Sequence, residues 1–159
     1  MTIKKILLDT NILVSAINDA QSQERIQLEE LLQDENTLLY TTPLIKHEVL
    51  RFYKIIDENR QYSTAKAILD LLKNLDIDER ISAIATDIVR FERQKYPERY
   101  QPNIDGNQKK IDKYNFDIMH IATAKQNKLE IKSNDGDVIY KYERLYDEMK
   151  CNTKIPNPS

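Results

Sequence analysis

Residues 3–11 read IKKILLDTN and residues 129–137 read LEIKSNDGD. Each is a short apolar run that leads into aspartate, and together the two strings decide the fold. Ile6, Leu7 and Leu8 give the near-continuous apolar run of a strand buried in a parallel sheet. Asp9 then stands at the strand's carboxyl end, and Asp135 and Asp137 follow the second strand in the same way.

Working outward, strand and helix patterns alternate along the chain. TNILVSAIN reads as a short helix, IQLEELLQ at 26–33 as a second, and Thr37 to Thr41 as a strand. Thr42 followed by Pro43 marks a helix start, the threonine as N-cap and the proline at the first helical position, and that helix is expected to run towards residue 60. Ser63 is expected to cap a helix through Lys73, with Leu75 to Ile77 as a very short third strand. Residues 79–95 repeat apolar positions at near-helical spacing and stop at Pro97. Residues 97–113 are rich in Pro, Asn, Asp, Lys and Gly without periodicity and read as a long exposed loop, either functional or a solvated connector. FDIMHIATAKQ forms a helix with Asp117 near its N-terminus, and LEIKS is the strand before the second acidic string. The final CNTKIPNPS is either an edge strand or a frayed tail. The expectation is one α/β domain over residues 1–159, with a mainly parallel sheet of four or five strands and its site at their carboxyl ends.

Composition narrows the chemistry. There are 159 residues, enough for one core, with 24 basic against 26 acidic side chains, so net charge argues neither for nor against nucleic acid. The single Cys151 excludes an intramolecular disulfide, and the first residues are too short an apolar run for a signal peptide or membrane span; a soluble, cytoplasmic protein is expected. Only Gly106 and Gly136 occur, which rules out a Walker P-loop or a dinucleotide-binding G-x-G-x-x-G turn. Phosphate chemistry, if present, must use metal, side chains or ordinary helix N-termini.

Asp9 and Asp135 follow strands, while Glu48 in KHEVLR and Asp117 in YNFDIMHIATA come from helices. Carboxylates brought together repel, and a hard divalent cation relieves that repulsion. Mg²⁺ or Mn²⁺ takes oxygen ligands at about 2.0–2.2 Å and bridges to phosphate, which suits phosphodiester hydrolysis. Ser133 and Asn134 could add hydrogen bonds there.

DTNIL at 9–13, HEVLR at 47–51, FDIMHIATA at 116–124 and SNDGD at 133–137 together resemble the four acidic motifs of PIN-domain nucleases, in order and at similar spacing. The resemblance covers nearly all the chain. It implies a three-layer α/β/α fold and a Mg²⁺- or Mn²⁺-dependent endoribonuclease. Asp9, Glu48, Asp117 and Asp135 would be its catalytic and metal-binding acids, Asp137 a fifth ligand, and Thr10, Asn11 and Ser133 supporting polar residues. A small PIN domain of this kind is similar to VapC-type toxins of bacterial toxin–antitoxin pairs, which implies an RNA substrate, a homodimer and a cognate antitoxin. Val138 and Gly136 depart from the family's usual aromatic and larger residues.

Simpler roles exist for each residue. Asp9 and Asp117 could cap their own helices, Glu48 could pair with Arg51 at i,i+3, and Asp137 suits an N-D-G-D turn. His47 and His120 read as structural, because Arg51 occupies the second histidine position of an H-E-x-x-H zinc motif. Tyr96, Tyr100 and Tyr114 are either RNA-stacking residues or half-buried aromatics. A phosphatase of the haloacid dehalogenase type would place a second aspartate where Asn11 stands. A non-catalytic RNA- or protein-binding module on the same fold is the remaining alternative.

Overall fold

β1 (Lys4–Leu8) lies inside a four-stranded, all-parallel sheet of order β3-β2-β1-β4, with β2 (Thr37–Thr41), β3 (Lys73–Asn74) and β4 (Glu130–Lys132). Ile6 is paired with Leu39 on one side and Glu130 on the other, so the apolar run at Ile6 to Leu8 has neighbours on both edges and is buried. The computed structural model describes residues 2–153. They form two compact units, one running to Ile77 and taking in Lys128–Asn134, the other comprising Asp78–Asn127 and the chain from Asp135.

The first unit holds the sheet and four helices: α1 (Thr10–Asn18), α2 (Gln23–Gln33), α3 (Pro43–Leu50) and α4 (Gln61–Leu69). α1 and α2 connect β1 to β2, and α3 and α4 connect β2 to β3, which is how parallel neighbours must be joined. Thr42 caps α3 as its sequence predicts, its hydroxyl accepting from the Ile45 N–H at 3.1 Å with Pro43 in the first turn. α3 stops at Leu50 rather than continuing towards residue 60, and residues 51–60 are turns and bends. The N-cap of α4 is Arg60 rather than Ser63, and the Asp57 carboxylate accepts from the Tyr62 and Ser63 N–H groups of its first turn. The third strand falls at Lys73–Asn74, two residues ahead of Leu75–Ile77, and the Leu75 N–H bonds Thr41 O at 2.8 Å beyond it.

The second unit is helical: α5 (Glu79–Lys95), α6 (Pro97–Asn103), α7 (Gln108–Gln126) and α8 (Gly136–Thr153). α5 packs on α6, α7 and α8. Ile81, Ala85 and Ile88 of α5, Ile118 and Ile121 of α7, and Ile139 and Leu145 of α8 are all buried. The stretch at 97–113 is therefore mostly helix, not an exposed loop. Pro97 opens α6, and Asn107 caps α7 by accepting from the Lys109 and Lys110 N–H groups. Cys151 to Thr153 complete α8, so no edge strand begins there; the rest of the expected strand or tail lies outside the described residues. Among the described residues no helix is long and apolar enough to cross a membrane.

Candidate active site

In the sheet unit the acids gather where β1 ends. Asp9 occupies the N-cap position of α1, yet its side chain makes no capping hydrogen bond. Capping does not account for it. At 2 % exposure its carboxyl is instead held by the Ser133 hydroxyl, which donates to Oδ2 at 2.7 Å from just beyond β4. The Asp9 N–H donates to Lys132 O at 2.9 Å, so the β1–β4 ladder itself sets this approach. Glu48, in the second turn of α3, is half-buried and accepts from the Thr10 hydroxyl at 3.0 Å. Two hydroxyls thus orient two acids at the carboxyl end of a parallel strand, where α/β sheets keep their sites.

Asn11 is exposed in the first turn of α1. The Asn134 amide turns to α2, donating to Glu24 Oε1 at 3.0 Å.

In the helical unit Asp117 sits well inside α7, about two turns later than its sequence suggests, so it cannot cap that helix. It is buried at 6 % exposure. Asp135 precedes α8, and its carbonyl accepts from the Val138 and Ile139 N–H groups. One ammonium serves both carboxylates: Lys113 Nζ is 3.1 Å from Asp117 Oδ2 and 2.6 Å from Asp135 Oδ2. Partial burial disfavours the charged lysine, but the hydrogen bond to Asp135 and the charge of Asp117 outweigh it and raise the pKa. Asp137 is exposed in the first turn of α8, a position that the helix dipole favours for an acid without any ligand.

Two residues that composition left unassigned matter here. Lys113 lies in the stretch taken for a loop; only the α7 helix brings it one turn from Asp117. Glu92 on α5 is wholly buried, accepts from the Asn103 amide at 3.3 Å and faces the Arg99 guanidinium at 3.7 Å. A signal for it exists, because Ile81, Ala85, Ile88 and Glu92 fall on one helical stripe. Tyr114 is buried and meets Tyr100 and Tyr142 edge to face, with ring centroids 6.1 and 5.7 Å apart. That packing, not RNA stacking, explains Tyr114, and burial raises the pKa of both Tyr114 and Tyr142. His47 is exposed and His120 buried.

A model of the PIN domain family matches residues 6–145. The chain belongs to the PIN domain family. PIN domains are generally nucleases, and the all-parallel sheet with its helices agrees with their three-layer α/β/α fold class. Two solved structures have a similar fold. VapBC2 from Rickettsia felis, bound to a DNA fragment from their promoter, has 19 % identity, a TM-score of 0.62 and coverage of 89 % of this chain and 92 % of that one. FitAB bound to a DNA fragment has 21 % identity, a TM-score of 0.60 and coverage of 87 % and 90 %. Comparison with curated proteins gave no significant match.

The candidate acids can be tested for metal by their donors. Among the described residues no three His, Cys, Asp or Glu side chains stand together as a ready-made metal cage. Asp9 and Glu48 nevertheless bring carboxylate oxygens beside the Ser133 and Thr10 hydroxyls, the oxygen donors that Mg²⁺ and Mn²⁺ take. Asp117 and Asp135 already share one cation, the Lys113 ammonium. A hard divalent cation fits this chemistry.

Proposed function

We propose that this PIN protein is a Mg²⁺- or Mn²⁺-dependent endoribonuclease, with Asp9 and Glu48 of the sheet unit and Asp117 and Asp135 of the helical unit as its catalytic, metal-holding acids. The single observation that carries this reading is the complete four-acid set in a PIN chain, in which Asp9 and Asp117 are buried acids with no capping role. Residues kept for solubility alone do not become buried carboxyls.

A bound divalent cation supplies activation of water and stabilisation of the charge that develops on phosphate oxygens. The chain's own residues prepare for it. The Ser133 hydroxyl fixes the Asp9 carboxyl, the Thr10 hydroxyl fixes Glu48, and the Lys113 ammonium holds Asp117 with Asp135. Asp137 is a fifth, peripheral ligand in this reading, with Asn11 and Asn134 as polar support nearby in sequence. A single domain made of both units is part of this reading, supported by a family match that runs through both.

The biological setting we propose is a cytoplasmic VapC-type toxin with a cognate antitoxin, supported by the motif set and by the fold shared with the VapBC2 complex. Phe52, Ile55 and Ile56 are largely exposed beyond α3, more apolar surface than a soluble monomer ordinarily leaves in one short segment. It suits an antitoxin or a second copy of the chain. A catalytically silent RNA-binding module is the competing reading, and the intact acid set favours the nuclease. Incubating a labelled single-stranded RNA with the purified protein and with Asp117→Asn separates the two. The nuclease cleaves internally and the variant does not.

A further inference from the structure

We propose that Lys113 is a tethered counter-cation of the Asp117–Asp135 pair, and that a divalent cation enters at these acids by displacing the lysine ammonium. The inference rests on the metal-dependent reading above, and its geometry lies wholly within the helical unit. α7 carries Lys113 and Asp117 at i,i+4, so the side chains meet one turn apart. The same Nζ reaches Asp135, 22 residues on, at 2.6 Å. The lysine therefore joins α7 to the residue that precedes α8.

Two carboxylates within reach of one nitrogen repel each other, and one of them, Asp117, has a side chain only 9 % exposed. An ammonium relieves part of that repulsion while no metal is bound. It carries one charge, whereas a divalent cation carries two and draws oxygens in to about 2.0–2.2 Å. The two cannot sit between the same oxygens. The residue type matters: lysine is a compact charge on a flexible four-carbon stem, where arginine would form a rigid bidentate fork. The Lys113 side chain is 50 % exposed, so its ammonium can move into water without disturbing α7. Metal affinity at the pair is then set by competition with the chain's own cation, which also keeps the acids aligned when metal is scarce.

Electron paramagnetic resonance of free Mn²⁺, titrated into the purified full chain, tests this without any turnover. Lys113→Met keeps the length of the stem and removes the charge; Lys113→Gln removes the charge with a shorter, polar side chain, in case the methionine variant fails to fold. Both are expected to bind Mn²⁺ about tenfold more tightly than wild type, the scale on which one neighbouring charge shifts a carboxylate equilibrium. Without metal both should melt below wild type, and Mn²⁺ should raise their melting temperature more. Unchanged or weaker Mn²⁺ binding in a folded variant overturns the counter-cation role and leaves the metal-dependent reading standing. Failure of wild type and both variants to bind Mn²⁺ at all overturns both.

Discussion

A carboxyl as buried as that of Asp9 needs partners for its oxygens, and one is the Ser133 hydroxyl at 2.7 Å. Taking that donor away leaves an acceptor that has lost its bond in a place water reaches poorly. Ser133→Ala should therefore cost about 1–3 kcal/mol of stability, read by urea unfolding. A loss below the error of the measurement would mean that the hydroxyl is not what holds Asp9. The acids themselves could be picked out from sequence because Asp9 and Asp135 follow apolar strand runs and Glu48 and Asp117 stand in strings with helical patterning. Their partners were harder to see. Ser133 and Thr10 act across the sheet edge, at separations of 124 and 38 residues, and no local pattern encodes such pairs. Lys113 was hidden by its polar surroundings, and Glu92 by its charge, although its spacing from Ile88 marks the buried stripe.

At the scale of elements, a helix terminus carries a pH dependence that can be read. The Asp78 carboxylate caps α5, where the Ile81 N–H, followed by Arg80, holds its pKa below the ordinary value of 3.8. A lowered folded value means that the cap's contribution is complete above the ordinary pKa and is lost as pH falls through the folded one. Asp78→Asn keeps an N-cap acceptor but does not titrate there. Its stability should consequently fall less than that of wild type on acidification below roughly pH 4, followed by circular dichroism. Equal acid sensitivity would remove Asp78 from the account. Elements with an apolar pattern or an explicit cap were legible: β1, β2, α1, the start of α3 and all of α5. β3 carried no pattern, because Lys73 and Asn74 are both exposed and only pairing with Tyr40 and Thr41 makes them a strand. The first turns of α7 were missed for a related reason: Gln108 to Lys110 are exposed and polar, so only the Asn107 cap announces the helix. α8 follows an N-D-G-D string that reads as a turn, and the helix begins at its glycine.

For the whole molecule, a mainly parallel sheet was legible in the alternation of strand and helix and the PIN family in four acidic strings in a fixed order, while the division into a sheet unit and a helical unit was not. The chain leaves the sheet after Ile77 and returns at Lys128, so one stretch of sequence serves as an insertion without any Gly- or Pro-rich linker to mark it. The exposed apolar segment at Phe52 to Ile56 points to a protein–protein contact, a question on which the balanced net charge is silent. Light scattering after size exclusion should show a dimer at micromolar concentration, and a monomer there would leave that surface to an antitoxin alone. Internal cleavage of a labelled RNA tests the proposal that Asp9, Glu48, Asp117 and Asp135 cut RNA with a divalent cation. Wild type in Mg²⁺ or Mn²⁺ should cut, EDTA should stop the cutting, and folded Asp117→Asn should not cut in either metal. Cleavage that survives EDTA, or full activity in Asp117→Asn, would contradict it.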